Sequence, residues 1–308
     1  MIRVRDLRVD YDDVCAVNDL SLEVAAGEIY GLIGPNGAGK TTTLRTLVGL
    51  QEPTYGDVWL NGVDLHLHRE DAVRLVGFMP DSAPLHEDLT VWEYLDLFAA
   101  SYFLPRNQRG EIIDRCLELV DLTEKREAMT AGLSRGMKQR LILAKTLLPD
   151  PQIVLLDEPA SGIDPYGRAL LKDLLRELGA AGKAVVVSSH ILSELSEFCT
   201  SVGIMERGRM VVSGRLEEVA AQVVGKSEAW VEVLSGEEQC AAALAADPRV
   251  QEVVSARGVF SFAFDGGRED LSDLLSRLVA AGVRVVSFGP RKSDLEEVFL
   301  KVGAKEVS

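Results

Sequence analysis

Residues 29–41 read Ile29-Tyr30-Gly31-Leu32-Ile33-Gly34-Pro35-Asn36-Gly37-Ala38-Gly39-Lys40-Thr41, and Thr42 follows. The first five form an apolar run of strand length, the pattern of a buried strand. The next eight fit the spacing G-x-x-x-x-G-K-[ST]. Small residues around Asn36, at Gly34, Gly37, Ala38 and Gly39, let the backbone curl so that several N–H groups point at one phosphate chain. A helix expected from Lys40 to about Leu50 adds the positive end of its dipole. Lys40 then reaches the β- and γ-phosphates of a nucleotide, the Thr41 hydroxyl can ligate Mg²⁺, and Thr42 is placed for the α-phosphate. The plainer reading is a glycine-rich turn, but a chance match to this spacing in such a chain is on the order of one in a hundred. A position between strand and helix is also what phosphate binding requires.

Working outward, Ile153-Val154-Leu155-Leu156-Asp157-Glu158-Pro159 is an apolar strand that ends in two acids. Downstream of a phosphate loop, Asp157 suits a Mg²⁺ ligand acting through water. Glu158 suits the base that orients and deprotonates the water attacking the γ-phosphate. Around these sites strands are expected at 2–9, 20–24, 58–60, 75–79, 184–188 and 202–205, and helices at 165–180 and 191–198. Residues 91–148 read instead as successive helices. The fold class is α/β, a phosphate-loop core with a helical subdomain at about 82–148.

The segment 222–228 is a plausible boundary. Beyond it, strand 230–234, helix 237–246, strands 250–256 and 259–264, helix 269–281 and strand 283–288 follow in the order βαββαβ. That is the ferredoxin-like pattern of a small α+β domain. A last helix, Ser293–Val302, opens on Ser293 as N-cap. Gly266-Gly267 reads as a turn, with no catalytic group nearby. The expected division is therefore 1–222 and 228–308.

Composition bounds the rest. The 308 residues suit two domains, and 47% hydrophobic with 26% charged residues is ordinary for a globular protein. A net charge of −15 argues against a nucleic-acid partner, whose affinity would come from Lys and Arg on phosphates. It also argues against broad adhesion to anionic lipid. No leader is expected at the charged start Met1-Ile2-Arg3-Val4-Arg5-Asp6, and no stretch approaches the roughly 18 apolar residues of a spanning helix. Cys15, Cys116, Cys199 and Cys240 are too scattered for a zinc site or a disulfide framework.

Between the loop and the acid pair lies Leu133-Ser134-Arg135-Gly136-Met137-Lys138-Gln139-Arg140. It resembles the signature sequence of ABC (ATP-binding cassette) ATPases, and the resemblance covers about residues 1–220. It implies an ATP sandwiched between two head-to-tail chains, with Ser134 and Gly136 of one on the γ-phosphate held by the other. It also implies that Tyr11 stacks on adenine, that Ser161-Gly162-Ile163-Asp164-Pro165 crosses the dimer interface, and that His190 contacts the γ-phosphate. Two departures stand out. Asp81 occupies the place of the family's usual Gln, where it can still approach Mg²⁺ or the attacking water. Arg135 and Met137 replace the Gly and Gln of the common Leu-Ser-Gly-Gly-Gln.

With the extra C-terminal domain, ending in Asp294-Leu295-Glu296-Glu297-Val298-Phe299-Leu300, these variants resemble the ATPase subunits of ABC-2 type exporters. The resemblance implies a cytoplasmic ATPase, a homodimer or mixed pair, held at the inner face of the membrane by a separate permease. The alternatives are a soluble ABC ATPase of translation or DNA repair, or a binding-only regulatory subunit. Against the first, the chain has one cassette and no sustained heptads. Against the second stand Lys40, Asp157, Glu158 and His190.

Overall fold

The computed structural model describes residues 1–191, 195–219 and 227–290. Two compact units divide the chain, Met1–Val219 and Ala220–Ser308.

In the first unit, β1 (Ile2–Tyr11) and β2 (Val14–Val24) pair antiparallel through the tight turn Asp12-Asp13, where Asp12 takes φ +46°. Both strands are longer than their expected counterparts at 2–9 and 20–24. β4 (Tyr55–Leu60) and β5 (Val63–Asp64) complete an antiparallel sheet in the order β2-β1-β4-β5. Ile2, Val4, Leu7 and Val9 face inward, as a sheet covered on one side requires.

The second sheet runs β10-β9-β3-β8-β7-β6. Its strands are β3 (Ile29–Ile33), β6 (Val76–Met79), β7 (Ile153–Asp157), β8 (Ala184–Ser189), β9 (Ser201–Glu206) and β10 (Arg209–Arg215). Five are parallel and β10 is an antiparallel edge. Every residue of β3, β7 and β8 is buried, which accounts for their unbroken apolar runs. Helix α1 (Lys40–Leu47) leaves the end of β3. It stops short of the expected Leu50 because Gly49 turns the chain at φ +72°. One core joins both sheets through α1, with Val4, Leu7 and Leu20 packed with Leu32, Leu44, Leu155 and Val186. After the short helix α2 (Arg69–Val73), the segment 82–148 contributes α3 (Val91–Ser101), α4 (Arg109–Leu119) and α5 (Arg135–Leu147). Thr90 and Glu93 form a capping box on α3, and Ser134 caps α5. Helix α6 (Pro165–Ala180) follows β7.

The second unit contains β11 (Ser227–Ser235), α7 (Glu237–Ala245), β12 (Val250–Ala256), β13 (Val259–Phe264), α8 (Arg268–Ala280) and β14 (Arg284–Pro290). Its sheet order is β12-β13-β11-β14, antiparallel throughout, so β13 lies between β11 and β12 as in a split βαβ unit. Phe260, Phe262 and Phe264 alternate inward against Val231, Leu274 and Leu278. The helix expected at 293–302, residues 192–194 of the helix expected at 191–198, and most of the boundary at 222–228 lie outside the described residues.

Candidate nucleotide-binding site

The parallel register sets the strand ends side by side. Ile33 pairs with Ser189, Asp157 with Ser188, and Met79 with Leu156. The loop 34–41, the acid pair, His190 and Pro80-Asp81 therefore leave one edge of the sheet, where open α/β sheets bind ligands.

Glycine is required in the loop for two different reasons. A side chain at Gly39, which has φ +102°, would meet the Ala16 carbonyl oxygen at 2.5 Å, and one at Gly34 would collide with the Met205 carbonyl. Gly37, at φ +82°, faces open space instead. The Gly208 N–H donates to the Ala38 oxygen at 3.0 Å and pins the loop from beneath. Gly39 is the N-cap of α1 and supplies no side-chain cap, and the first turn carries no acid. The N–H groups of that turn are left for an anion.

Lys40 is buried. Its Nζ donates to the carbonyls of Gly34 at 2.6 Å and Pro35 at 3.3 Å and lies 3.6 Å from Glu158 Oε1. Burial lowers its pKa from the ordinary lysine value, and the negative charges of Glu158 and Asp157 oppose that shift. The Thr41 hydroxyl donates to Asp157 Oδ2 at 2.8 Å. Glu158 takes a left-handed backbone, φ +48°, uncommon away from glycine and characteristic of strained functional turns. Its Oε2 lies 3.0 Å from His190 Nδ1.

An open cleft of ≈ 460 Å³ joins these groups. Tyr11, Val14, Cys15 and Ala16 form one wall, the loop from Asn36 to Thr42 the floor, and Asp81 and Glu158 the far side. Asp157 lies beneath, joined to the floor through Thr41, and His190 is linked through Glu158. Ser134 and Gly136 do not line the cleft. Ser134 Oγ accepts from the Met137 N–H at 3.3 Å, as an N-cap. Arg135, which replaces a glycine of the usual signature, donates from Nη2 to Ser161 Oγ at 3.4 Å and fills the space a side chain at Gly162 would need.

Two parts of the site escaped the sequence reading. Ser188 is fully buried and bonds both acids; its only local sign was a polar residue closing an apolar strand. Arg207 lines the cleft from the turn between β9 and β10, where Arg207 and Gly208 both have positive φ. An arginine-glycine pair before a strand is a turn signal, though it carries no sign of a cleft.

The donors at Thr41 and Asp157 are oxygens only. This fits Mg²⁺, which is commonly held by one or two protein oxygens with phosphates and water supplying the rest.

A parallel sheet bearing a phosphate loop, an Asp-Glu pair and a histidine on neighbouring strand ends, with a helical segment inserted between them, defines a cassette-type phosphate-loop ATPase. The chain belongs to the ATP-binding proteins of ABC transporters, a family of ATPases coupled to transport. The model of the "ABC transporter" family matches residues 17–161. That of "ATP-binding protein DrrA1-3-like, C-terminal domain" matches 214–302. A Nod factor export ATP-binding protein I of Rhizobium meliloti (strain 1021) is 33% identical over 306 residues, covering 99% of this chain and 89% of that protein. An uncharacterized ABC transporter ATP-binding protein of Nostoc sp. is 34% identical over 93% of this chain and 83% of its own length. The structure of an ATP binding subunit of an ABC transporter superposes with a TM-score of 0.66 at 32% identity, over 72% of this chain and 92% of that one. A dimeric bacterial ABC transporter cassette, at 24% identity and TM-score 0.65, covers 70% of this chain and 99% of its own and shares the fold. No helix among the described residues is long and apolar enough to cross a membrane.

Proposed function

We propose that this chain hydrolyses ATP–Mg²⁺ as a head-to-tail dimer, most simply a homodimer, and powers an ABC-2 type exporter whose membrane permease is a separate protein. The observation that carries the chemistry is the placing of Lys40 and Thr41 at the start of α1 and of Asp157, Glu158 and His190 at adjoining strand ends along one cleft. Lys40 and the loop N–H groups bind the β- and γ-phosphates, and Tyr11 stacks on the base. Thr41 and Asp157 hold Mg²⁺, with Asp81 nearby; the ion neutralises phosphate charge when bound. Glu158 takes the proton of the attacking water, and His190 orients Glu158 and contacts the γ-phosphate. Ser134 and Gly136 stand outside their own cleft, which suits a role on the nucleotide of a partner. Residues 1–222 would form the ATPase domain and 228–308 the accessory domain. A chain of this kind would lie in the cytoplasm, peripheral to the membrane through its permease. The export role rests on relatives named for Nod factor export that align along nearly the whole chain.

The test is Glu158→Gln. Steady-state ATPase should fall at least about 100-fold, the scale of general-base catalysis, while ATP binding persists and a closed dimer accumulates on a sizing column. Used as tagged bait with ATP on solubilised membranes, the same variant should retain one polytopic membrane protein. Normal turnover would remove Glu158 as the base. Recovery of ribosomal or repair proteins alone would overturn the transport reading.

A further inference from the structure

We infer that Ser188 is a positioning residue that sets both acids of the ATPase site. The inference rests on the ATP–Mg²⁺ reading of the cleft and extends it to a side chain that touches neither ligand.

Ser188 is the fifth residue of β8, fully buried, between Leu32 of β3 and Asp157 of β7 in the strand register. Its Oγ donates to Asp157 Oδ1 at 2.6 Å. The same oxygen accepts the Glu158 N–H at 2.9 Å. Asp157 is thereby held at both oxygens, Oδ1 by Ser188 and Oδ2 by Thr41 at 2.8 Å. The plane of the carboxylate is fixed between the two hydroxyls, so its orientation toward the cleft floor does not depend on a bound ion. A hydroxyl donating to a carboxylate this closely is a strong, charge-assisted bond, and the buried setting removes competition from water.

The second bond acts on the backbone. Glu158 departs from strand geometry at φ +48°, and this turn carries its side chain out to Lys40 and His190. Its N–H is the last backbone donor before that turn, and Ser188 accepts it. One hydroxyl thus ties the orientation of the metal-side acid to the turn that presents the catalytic acid. A valine or alanine at 188 would satisfy the strand but leave the Glu158 N–H and Asp157 Oδ1 without this partner. Partners of this kind, one bond removed from the reacting groups, typically set metal affinity and activity over about 10–100-fold.

The experiment compares full-length wild type, Ser188→Ala and Ser188→Thr. Binding of a fluorescent ATP analogue is measured in EDTA and across a Mg²⁺ titration, alongside steady-state kinetics and thermal unfolding. For Ser188→Ala, EDTA binding should stay within about twofold of wild type. The Mg²⁺ concentration for half-maximal enhancement should rise about tenfold, and kcat should fall at least tenfold with little change in KM. Ser188→Thr keeps the hydroxyl and should recover most of both losses. Wild-type Mg²⁺ dependence and kcat in Ser188→Ala would overturn the inference. So would a loss of EDTA binding as large as that with Mg²⁺, which marks a merely structural role, or equal losses in the alanine and threonine variants. If wild type itself bound the analogue without any response to Mg²⁺, the reading of the site would fall, and this inference with it.

Discussion

Asp81 stands where the resemblance to ABC ATPases implies a Gln. It places a carboxylate on the wall of a cleft whose other acidic groups, Asp157 and Glu158, are each tied to a hydroxyl, a lysine or a histidine. A triphosphate entering without metal meets that charge directly. Asp81→Gln, which restores the usual amide, should therefore tighten ATP binding in EDTA about two- to fivefold, the size of one screened charge across water. With Mg²⁺ present the gain should shrink or reverse, because the metal turns the same carboxylate from a repulsive neighbour into an attractive one. Isothermal titration with and without Mg²⁺ reads the difference, and equal effects in both would show that Asp81 acts by shape rather than charge. At this scale the sequence was informative wherever the candidate site is built from neighbours in the chain. The loop 34–41 and the pair Asp157-Glu158 could be read directly. Ser188 could not, since its partners stand about thirty positions away and meet it only through strand pairing.

At the scale of elements, the same distinction separates what was legible from what was not. β3, β7 and β8 announced themselves as short apolar runs because both of their faces are covered. β10 alternates between exposed and half-buried residues on a sheet edge, and its Gly214 and flanking arginines disguised it. The first half of β2 was lost for a similar reason, with Val14 exposed and Cys15 and Ala16 only partly covered. In the second unit the alternation of Phe260, Phe262 and Phe264 gave β13, but the charged cluster beside it was silent. There Asp247 is buried and accepts from Arg249 Nε at 3.0 Å and Nη2 at 2.9 Å and from Arg277 Nη2 at 2.7 Å. The hydrogen bonds from Arg249, against the cost of burial, hold the Asp247 pKa down at about 2, from 3.8. A depressed carboxyl contributes stability that is fully present above its unfolded value and lost as pH falls through that value toward 2. Acid unfolding followed by Trp230 emission, in a Trp59→Phe, Trp92→Phe background, should therefore steepen between about pH 4 and pH 2. Asp247→Asn should lower stability at neutral pH and flatten that dependence. An unchanged acid profile would mean that the arginines gain other partners when the carboxylate is removed.

For the whole molecule, the decisive geometry is that the cleft and Ser134 do not meet within one chain. The cap of α5 ends at Met137, and a side chain added at Gly136 would approach no closer than Ile163 Cα at 3.9 Å outside its own helix. On the proposed reading the start of α5 meets a partner's nucleotide, and two-fold symmetry then produces two shared sites at once. This arrangement makes a prediction that no single-chain site can imitate. Lys40→Ala spoils the loop half of a site, and Ser134→Arg spoils the signature half by filling the approach to the γ-phosphate. Homodimers of either variant carry one defect in each of their two sites and should be inactive. In a mixed dimer both defects fall in the same site, and the other is assembled from an intact loop and an intact signature. Co-folding equal amounts should therefore restore ATPase to roughly a quarter of wild type, since half of randomly assorted dimers are mixed and each has one sound site. Activity no greater than the sum of the separate variants, with mixed dimers present by native mass spectrometry, would rule out sharing of the site. Recovery would also explain why the chain tolerates Arg135 in place of the signature glycine. Its guanidinium donates to Ser161 Oγ of its own chain.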